Sequence, residues 1–432
     1  MTPTQSIYQS VEIVDTQNLL EDGSNWCPIA QDMAPSSYSM RVFTTIEAIE
    51  ALRPVWEMWA HSLDTDFDYF LHNLAHDAST LHPCVITVYN GSVPRAMLVG
   101  QVRMRRASAV VFFLNVPGPR ERVLTINKGG RMGQPSSLID ELLASELLKI
   151  AKSGMVDALS FERLPLQSEL FRHIQRMPGF LVKECVPHVF YYSVLTLNAQ
   201  GKDCPSVLTG KAQREVRRKT RILDNAFPNK VHLKCFSQPE ELNAGLRDAL
   251  RVAGTTWQYH LGEGLAHAPQ AQVNFQFFAQ QGWLRIYILY IKESPCAYLV
   301  GQLYNHAFYC QHAGFNPNFT PYSVGSVLTA RAFEDLAAMG VRQVDLGEGG
   351  QEHNRRLGCE KSEEGTVHIY SPTLRGVWLS LFFLSTRAIR KSGRRMQTTL
   401  HLHWLSRIWR QYLLSRWQSQ HPSSELDASE PS

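Results

Sequence analysis

The chain has no apolar run of the roughly 18 residues that a bilayer-spanning helix needs. Its opening stretch, "MTPTQSIYQSVEIVDTQ", has no basic region leading into an apolar one, so no signal peptide is read there. Eight cysteines lie scattered between Cys27 and Cys359 without a single C-x-x-C pair. That pattern argues against a zinc site or a disulfide framework and reads as reduced thiols in a cytoplasmic chain. No Walker loop and no Rossmann fingerprint occurs. Acid is also absent locally: residues 365–424 hold nine Lys/Arg and no Asp or Glu, so the rest of this +4 chain is net negative. It is a near-neutral body with a basic C-terminal segment, not a basic protein.

What is present is enough for a sizeable core. The 432 residues are 44% apolar with nine Trp, and the length fits two or three domains. One phrase occurs twice. Pro94–Val102 reads "PRAMLVGQV" and Pro295–Leu303 reads "PCAYLVGQL". Each copy is followed by a helical pattern, a glycine (Gly154, Gly340) and a strand carrying an aspartate (Asp157, Asp345). Apolar residues recur at three- and four-residue spacing in both helices, and glycine is the preferred residue for closing a helix. The conserved order marks a duplicated domain rather than a solenoid unit. Each copy reads as a helix, a strand hairpin, a further strand ("SAVVFFLNV"; "HAFYCQHAGF"), a loop, a helix and a last strand. Segments Val182–Leu197 and Thr366–Tyr370 are expected to complete one sheet each. The expected fold is α/β (α+β): two mixed, mostly antiparallel sheets flanked by helices.

The second copy carries the sharper chemistry. Strand "AFYCQHAGF" runs into "NPNFTPYSVGSVLTARAFEDL", with Ser323, Gly325 and Ser326 where a helix should begin. A helix N-terminus offers unpaired N–H groups and the positive end of its dipole, and small residues let a phosphate come close. Ordinary capping by serine is the competing explanation. In the first copy, Lys128, Gly129, Gly130, Arg131 and Gly133 read either as a second anion-binding loop before a helix or as part of a structural or acceptor-binding half, and the latter is favoured.

The run "FNPNFTPYSVGSVLTARAFEDLAAMGVRQVDLGEGGQEHNRRLG" resembles the C-terminal half of tandem GNAT-fold acyltransferases, the BioF2-like (CelD-type) proteins related to the FemAB peptidoglycan transferases. The turn is Tyr322-Ser323-Val324-Gly325, without the family's proline. Where the family has a lysine, this chain has Asn354, Arg355 or Arg356. The basic helix "LTGKAQREVRRKTRIL" resembles the family's entrance helix. The resemblance implies tandem GNAT-like domains at 36–200 and 201–375, after an N-terminal extension (1–35) and before a basic amphipathic helical tail (376–420) and a disordered end (421–432). It also implies an acyl-CoA co-substrate and no metal. The acyl group would pass directly to an amine of a cell-envelope or exopolysaccharide precursor, a small-molecule or glycan/lipid-linked acceptor.

On that resemblance the pyrophosphate rests on the N–H groups of Ser323, Val324, Gly325, Ser326 and Val327. A backbone N–H near Gln311, His312 and Ala313 meets the thioester oxygen. Glu348, His353 and His312 are candidates for the base, with Glu352 behind them, and Tyr322 for the acid that meets the leaving thiolate. Glu352, Arg355 and Arg356 are candidates for binding substrate. Cys310 and Cys359 read as inert, because direct transfer needs no covalent intermediate. Lys211–Arg221 reads as a solvated face, as a rim for CoA phosphate or an anionic acceptor, or, least favoured, as a tRNA contact. No aromatic–basic interleaving points to nucleic acid, and DNA is not expected. Residues 376–420 read either as a helix packed on the body or as one lying on the inner face of a membrane. An aminoacyl-tRNA-dependent transferase and a non-catalytic binding protein are the rival functions.

Overall fold

The computed structural model describes residues 12–13, 38–111, 114–178, 182–194, 210–256, 259, 264–265, 269–347 and 360–399. The first half comprises β1 (Glu12–Ile13), β2 (Tyr38–Phe43), α1 (Ile46–Glu50), α2 (Arg53–Trp59), α3 (Phe67–His76), β3 (Thr80–Asn90), β4 (Val93–Val111), β5 (Leu114–Gly133), α4 (Ser137–Ser153), β6 (Ala158–Pro165), α5 (Glu169–Arg176) and β7 (Lys183–Val194). The second comprises α6 (Gly210–Ala226), β8 (Val231–Phe236), α7 (Leu242–Ala253), α8 (Pro269–Gln280), β9 (Leu284–Ile291), β10 (Ser294–Tyr304), β11 (Ala307–Phe315), α9 (Val324–Ala338), β12 (Gln343–Asp345), β13 (Glu360–Tyr370) and α10 (Leu374–Thr399).

The helices form where the apolar spacing places them. Apolar side chains on one stripe of α4 (Ile139, Leu143, Leu147, Ile150) bury against β3–β6, and α9 does the same with Val327, Leu328 and Leu336 in the second half. α4 ends at Gly154, whose φ of 77° is the left-handed closure that its glycine allows. Each half-sheet is covered on both faces. α4 and α5 cover one face of the first half-sheet, and α1–α3 with Trp56, Phe67 and Phe70 cover the other. In the second half α6 and α9 lie on one face, α7 and α8 on the other.

The two half-sheets are one sheet. Its strand order is β1-β2-β3-β4-β5-β6-β13-β7-β12-β11-β10-β9-β8. Pairing is mostly antiparallel, with parallel steps at β1·β2, β5·β6 and β11·β12. This corrects the expectation that each half's last strand completes its own sheet. β13 pairs with β6 of the first half (Ile369↔Leu159), and β7 pairs with β12 of the second (Val344↔Ser193). β13 and β7 also pair with each other from Glu360↔Tyr192 to Ile369↔Lys183. The physical reason is edge satisfaction: each short inner strand presents unpaired backbone groups that an exchanged strand covers.

A second correction concerns "SAVVFFLNV", expected as a separate strand. Its first residues continue β4 to Val111, and its last begin β5 at Leu114. The presumed glycine loop at Lys128–Gly133 therefore belongs to β5. Pro117 and Pro119 are tolerated because β5 pairs with β6 only over Val123–Ile126, so beyond that stretch a missing N–H loses no bond on that side.

The repeated phrase encodes two irregularities, the same two in both copies. In P-x-A the middle residue is extra in the hairpin. Tyr89 pairs with Pro94 and Val88 with Ala96, leaving Arg95 out; Tyr290 pairs with Pro295 and Leu289 with Ala297, leaving Cys296 out. In V-G-Q the next strand bulges. β5 loops out Asn127–Gly130 between its pairings with Leu98 and Gly100, and β11 leaves out Gln311 between its pairings with Val300 and Gly301. A β-carbon on Gly100 would lie 2.5 Å from the Thr125 carbonyl oxygen, and one on Gly301 2.4 Å from that of Tyr309. Only glycine permits this approach.

Gly301→Ala is expected to lower stability by about 1–3 kcal/mol, because backbone must move to admit the methyl. Gly254→Ala is the control: its φ is −60° and nothing lies closer than 3.5 Å, so it should be neutral or slightly stabilising. Urea unfolding of both variants checks this; equal midpoints would count against the bulge constraint.

Candidate functional site

The notch of the second half follows from the bulge. β11 and β12 run in parallel register only over Ala307–Tyr309 and Gln343–Asp345. Beyond Tyr309, β11 continues to Phe315 without β12 beside it. α9 then starts at Val324, after a 3-10 turn over Pro317–Tyr322.

Gln311, His312 and Ala313 lie on β11 beyond the last β12 rung, and Ser323–Val327 form the junction and first turn of α9. Ordinary serine capping does not apply here. Ser323 makes no side-chain cap and adopts the left-handed conformation (φ 53°, ψ 38°), a strained state for a residue with a β-carbon. Its carbonyl accepts from Ser326 and Val327 N–H, and its own N–H donates to the Thr320 carbonyl. Among the described residues, the N–H groups of Val324 and Gly325 have no such acceptor, as expected at a helix start. Beside them, Lys219 of α6 donates to Ser326 Oγ at 3.3 Å. The basic entrance helix thus brings a cation to the bare end of α9. Arg217, Arg218 and Arg221 are exposed on α6.

Strand alternation from the sequence set Cys310, His312 and Gly314 on one face. The bulge at Gln311 breaks that parity. Cys310 packs with the α9-side core, whereas His312 meets the Phe275 ring edge-on at 6.3 Å on the α7/α8 side. Burial lowers the His312 pKa from its ordinary value, and its Nε2 is buried with no hydrogen-bond partner. It is a neutral imidazole with a nitrogen to spare. Burial pushes the Cys310 thiol up to about 12, with Asp345 adding to the shift, so it stays protonated and poorly nucleophilic. Gln311 is exposed, and its side-chain oxygen accepts from Gln302 Nε2 at 2.7 Å. Tyr322 packs its ring against Phe227, with centroids 4.9 Å apart. Glu348, Glu352, His353, Arg355, Arg356 and Cys359 lie outside the described residues.

Sequence reasoning missed a crevice at the apex of the notch. Lys128, on the β5 bulge, donates to Asp345 Oδ2 at 3.1 Å and lies 3.7 Å from Asp64 Oδ2. Asp345 is the last β12 residue in register with β11, opposite Tyr309. Burial raises Asp64 above the usual carboxylate range; Lys128 and Arg163 oppose that shift and Asp345 adds to it. Even so, 37% of the Asp64 side chain remains open to solvent, as fits a group at the base of a crevice. Burial, with Asp64 and Asp345 nearby, takes the Tyr309 hydroxyl up to about 12. Adjoining, the splay of β5 from β6 encloses a cavity of about 230 Å3 lined by Asn127, Gly130, Glu162, Arg163 and Leu164 among others. Asn127 Oδ1 is buried with no donor, and burial raises Glu162. The cations once read as a first-half anion loop are engaged: Lys128 as above, and Arg131 with Asp140 at 2.7 Å. The signal was partly visible, since Lys128 and Asp345 each stood out in sequence. Their meeting across the halves was not.

The two halves also touch at α3 and α8, where His72 stacks on Phe277 at 4.3 Å and pairs with Asn274 at 3.2 Å, and Tyr304 donates to Asp66 at 3.1 Å.

The second half thus sets a splayed strand pair against a bare helix start. A family model described as "Acetyltransferase (GNAT) domain" matches residues 210–355. The match spans about a third of the chain, and it supports an acyltransferase class for the second half. No curated protein matches closely enough to count as a relative. Among solved structures, the chain is similar to FemX, at 7% identity and TM-score 0.47 over 71% of this chain and 96% of that one. It is similar to L-PGS from Bacillus licheniformis, at 13% identity and TM-score 0.44 over 79% and 96%. It is likewise similar to the C-terminal domain of a putative lysylphosphatidylglycerol synthetase from Agrobacterium fabrum, at 10% identity and TM-score 0.44 over 77% and 93%. Identities this low carry no statement about substrate.

Lys128→Met removes the cation between two carboxylates. The expected loss is about 1–2 kcal/mol near neutral pH, less than for a fully buried pair because Asp64 is partly hydrated. A carboxylate with a raised folded pKa costs stability once ionised. The loss should therefore shrink as pH falls and Asp64 protonates, and adding Asp64→Asn should recover part of it. Urea midpoints across pH 4–8 test this; a loss independent of pH would point to packing alone.

Proposed function

We propose that the chain is an N-acyltransferase that takes an acyl group from acyl-CoA in the second-half notch and passes it directly to an amine. The observation that carries this reading is the α9 start: two unengaged N–H groups at the positive end of a helix dipole, with Lys219 beside them. That is a site for the pyrophosphate of a CoA thioester. The bulge supports the next step. Gln311 has no ladder partner on β10, and a strand edge with no neighbour among the described residues beyond Tyr309 leaves N–H groups for the thioester oxygen.

The acceptor amine enters from the crevice side. Its nitrogen attacks the thioester carbonyl, the carbon–sulfur bond breaks, and CoA leaves as the thiolate. The amine's proton passes to a base and returns to the sulfur. Of the candidates in the described residues, His312 fits best, because it is neutral and its Nε2 is unoccupied. The acceptor's other donors suit Asn127 Oδ1 and the Glu162 and Asp64 carboxylates. Holding amine and thioester at one apex supplies much of the acceleration. A cell-envelope or exopolysaccharide precursor, small or linked to a glycan or lipid, is the proposed acceptor class, acted on at the cytoplasmic side.

Calorimetric titration with acetyl-CoA and longer acyl-CoAs is the test. Binding is expected, and Gly325→Trp should weaken it at least about tenfold by filling the space between α9 and Phe315. With glucosamine as the probe amine, kcat/KM should fall on the acid side with an apparent pKa below 6.5, because His312 must be neutral. His312→Gln should lower the rate about 10²–10⁴-fold and remove that limb. If no CoA thioester binds but charged tRNA does, the donor is an aminoacyl-tRNA and this reading fails. If neither binds, the fold serves as a binding protein.

A further inference from the structure

α10 covers one end of the sheet, and among the described residues its outer face has no partner. Inward it buries Leu379, Ser380 and Thr386, and it packs Phe382 and Phe383 against Ala107 and Tyr370. Outward it shows Leu374, Val377, Trp378, Leu381, Leu384 and Ile389, each 47–93% exposed. At 100° per residue these fall in one arc of about 140°. Scattered exposed apolar residues are ordinary, but a continuous stripe is not.

A second apolar element adjoins this face. The β4–β5 hairpin overhangs the sheet, and from Ala107 to Pro119 it reads "ASAVVFFLNVPGP" with no charged residue. Arg105 and Arg106 precede this stretch and Arg120 follows it, all exposed. Its last described rung is Val111↔Leu114. The hairpin meets α10 where a β-carbon on Gly118 would lie 2.8 Å from the Phe382 ring. Helix stripe and hairpin tip therefore belong to touching elements.

Charge decides what covers them. Residues 365–424, which include all of α10, carry nine Lys/Arg and no acid. A second copy seated on this face would set one acid-free basic segment against another, and like charges oppose that contact. An anionic lipid surface accepts both the apolar stripe and the cations. Among the described residues no helix is long and apolar enough to cross a membrane, so the contact is along the surface.

We propose that α10, with the adjoining β4–β5 hairpin at Ala107 and Gly118, forms a docking face for an anionic bilayer. The face uses none of the residues assigned to the notch, and it stands whether or not the donor is acyl-CoA.

The test is sedimentation of the full chain with vesicles of phosphatidylcholine alone and of phosphatidylcholine mixed with phosphatidylglycerol. Partitioning onto the mixed vesicles should be at least about tenfold stronger and should weaken as the Debye length shrinks from ~10 Å at 0.1 M salt to ~3 Å at 1 M. Trp378→Glu with Leu381→Glu should reduce it at least about tenfold, with far-ultraviolet circular dichroism and acetyl-CoA binding unchanged. Leu384→Ser is the milder variant should the double one fold poorly, with a smaller loss in the same direction. No preference for anionic vesicles, or binding indifferent to these substitutions, overturns the proposal. So does a dimer that the substitutions dissociate while vesicles bind neither form, because a second copy would then be the occupant.

Discussion

The notch depends on one close approach: a glycine α-carbon on a central strand lying against the carbonyl of its neighbour. Gly100 meets Thr125 and Gly301 meets Tyr309 at distances that exclude any β-carbon. At each of these points the neighbouring strand bulges and parts from the strand beyond it. A regular ladder would keep β11 beside β12 to its end, and the space between them would close. The bulge also re-aims side chains. It turns His312 away from the face of Cys310 and leaves Gln311 out of register. The repeated phrase holds no catalytic group, yet it shapes the place where the chemistry is proposed.

The exchange of β7 and β13 has a mechanical consequence. Two duplicated domains on a flexible linker would move independently by default. Here β6, β13, β7 and β12 are joined by backbone hydrogen bonds, so the two notches are fixed within one sheet. A composite crevice needs such a frame. Lys128 comes from the first half's bulge and Asp345 from the second half's apex strand, and their 3.1 Å contact holds only if the sheet does not hinge between them.

Much of the architecture was legible in sequence, because the signals are local. The repeated phrase, the apolar spacing of α4 and α9 and the closing glycines Gly154 and Gly340 each depend on neighbours within a turn or two. The exchanged strands were not legible. Val182–Leu197 and Thr366–Tyr370 have strand composition, but composition does not name a partner, and chain order favoured the wrong one. The β4–β5 hairpin was cut wrongly because Pro117 and Pro119 imitate a loop, when in fact they sit where no partner needs their N–H. The parity of His312 was misjudged because alternation assumes an unbroken strand. The proposed site follows the chain at Gln311–Ala313 and Ser323–Val327, where local signals suggested it. It was illegible where it crosses from Asp64 to Lys128 to Asp345, since no sequence period links positions so far apart.

The electrostatics of the crevice and of the α9 start differ, and the proposed reaction draws on the difference. The α9 start is a dipole end with Lys219 beside it and favours an anion. The crevice has Asp64, Asp345 and Glu162 against Lys128, Arg103 and Arg163, with two carboxylates held above their usual range by burial. An ammonium that arrives there meets as many cations as carboxylates, and it is not a nucleophile until it loses a proton. His312, neutral because burial disfavours its charge, can accept that proton only at a cost, and so releases it readily to a thiolate. On the proposed reading, donor and acceptor meet at Tyr309 and Asp345, the last rung before the strands part. On this view the glycine bulge does more than open a slot: it sets the point at which an anion-favouring helix start and a charge-balanced crevice come together.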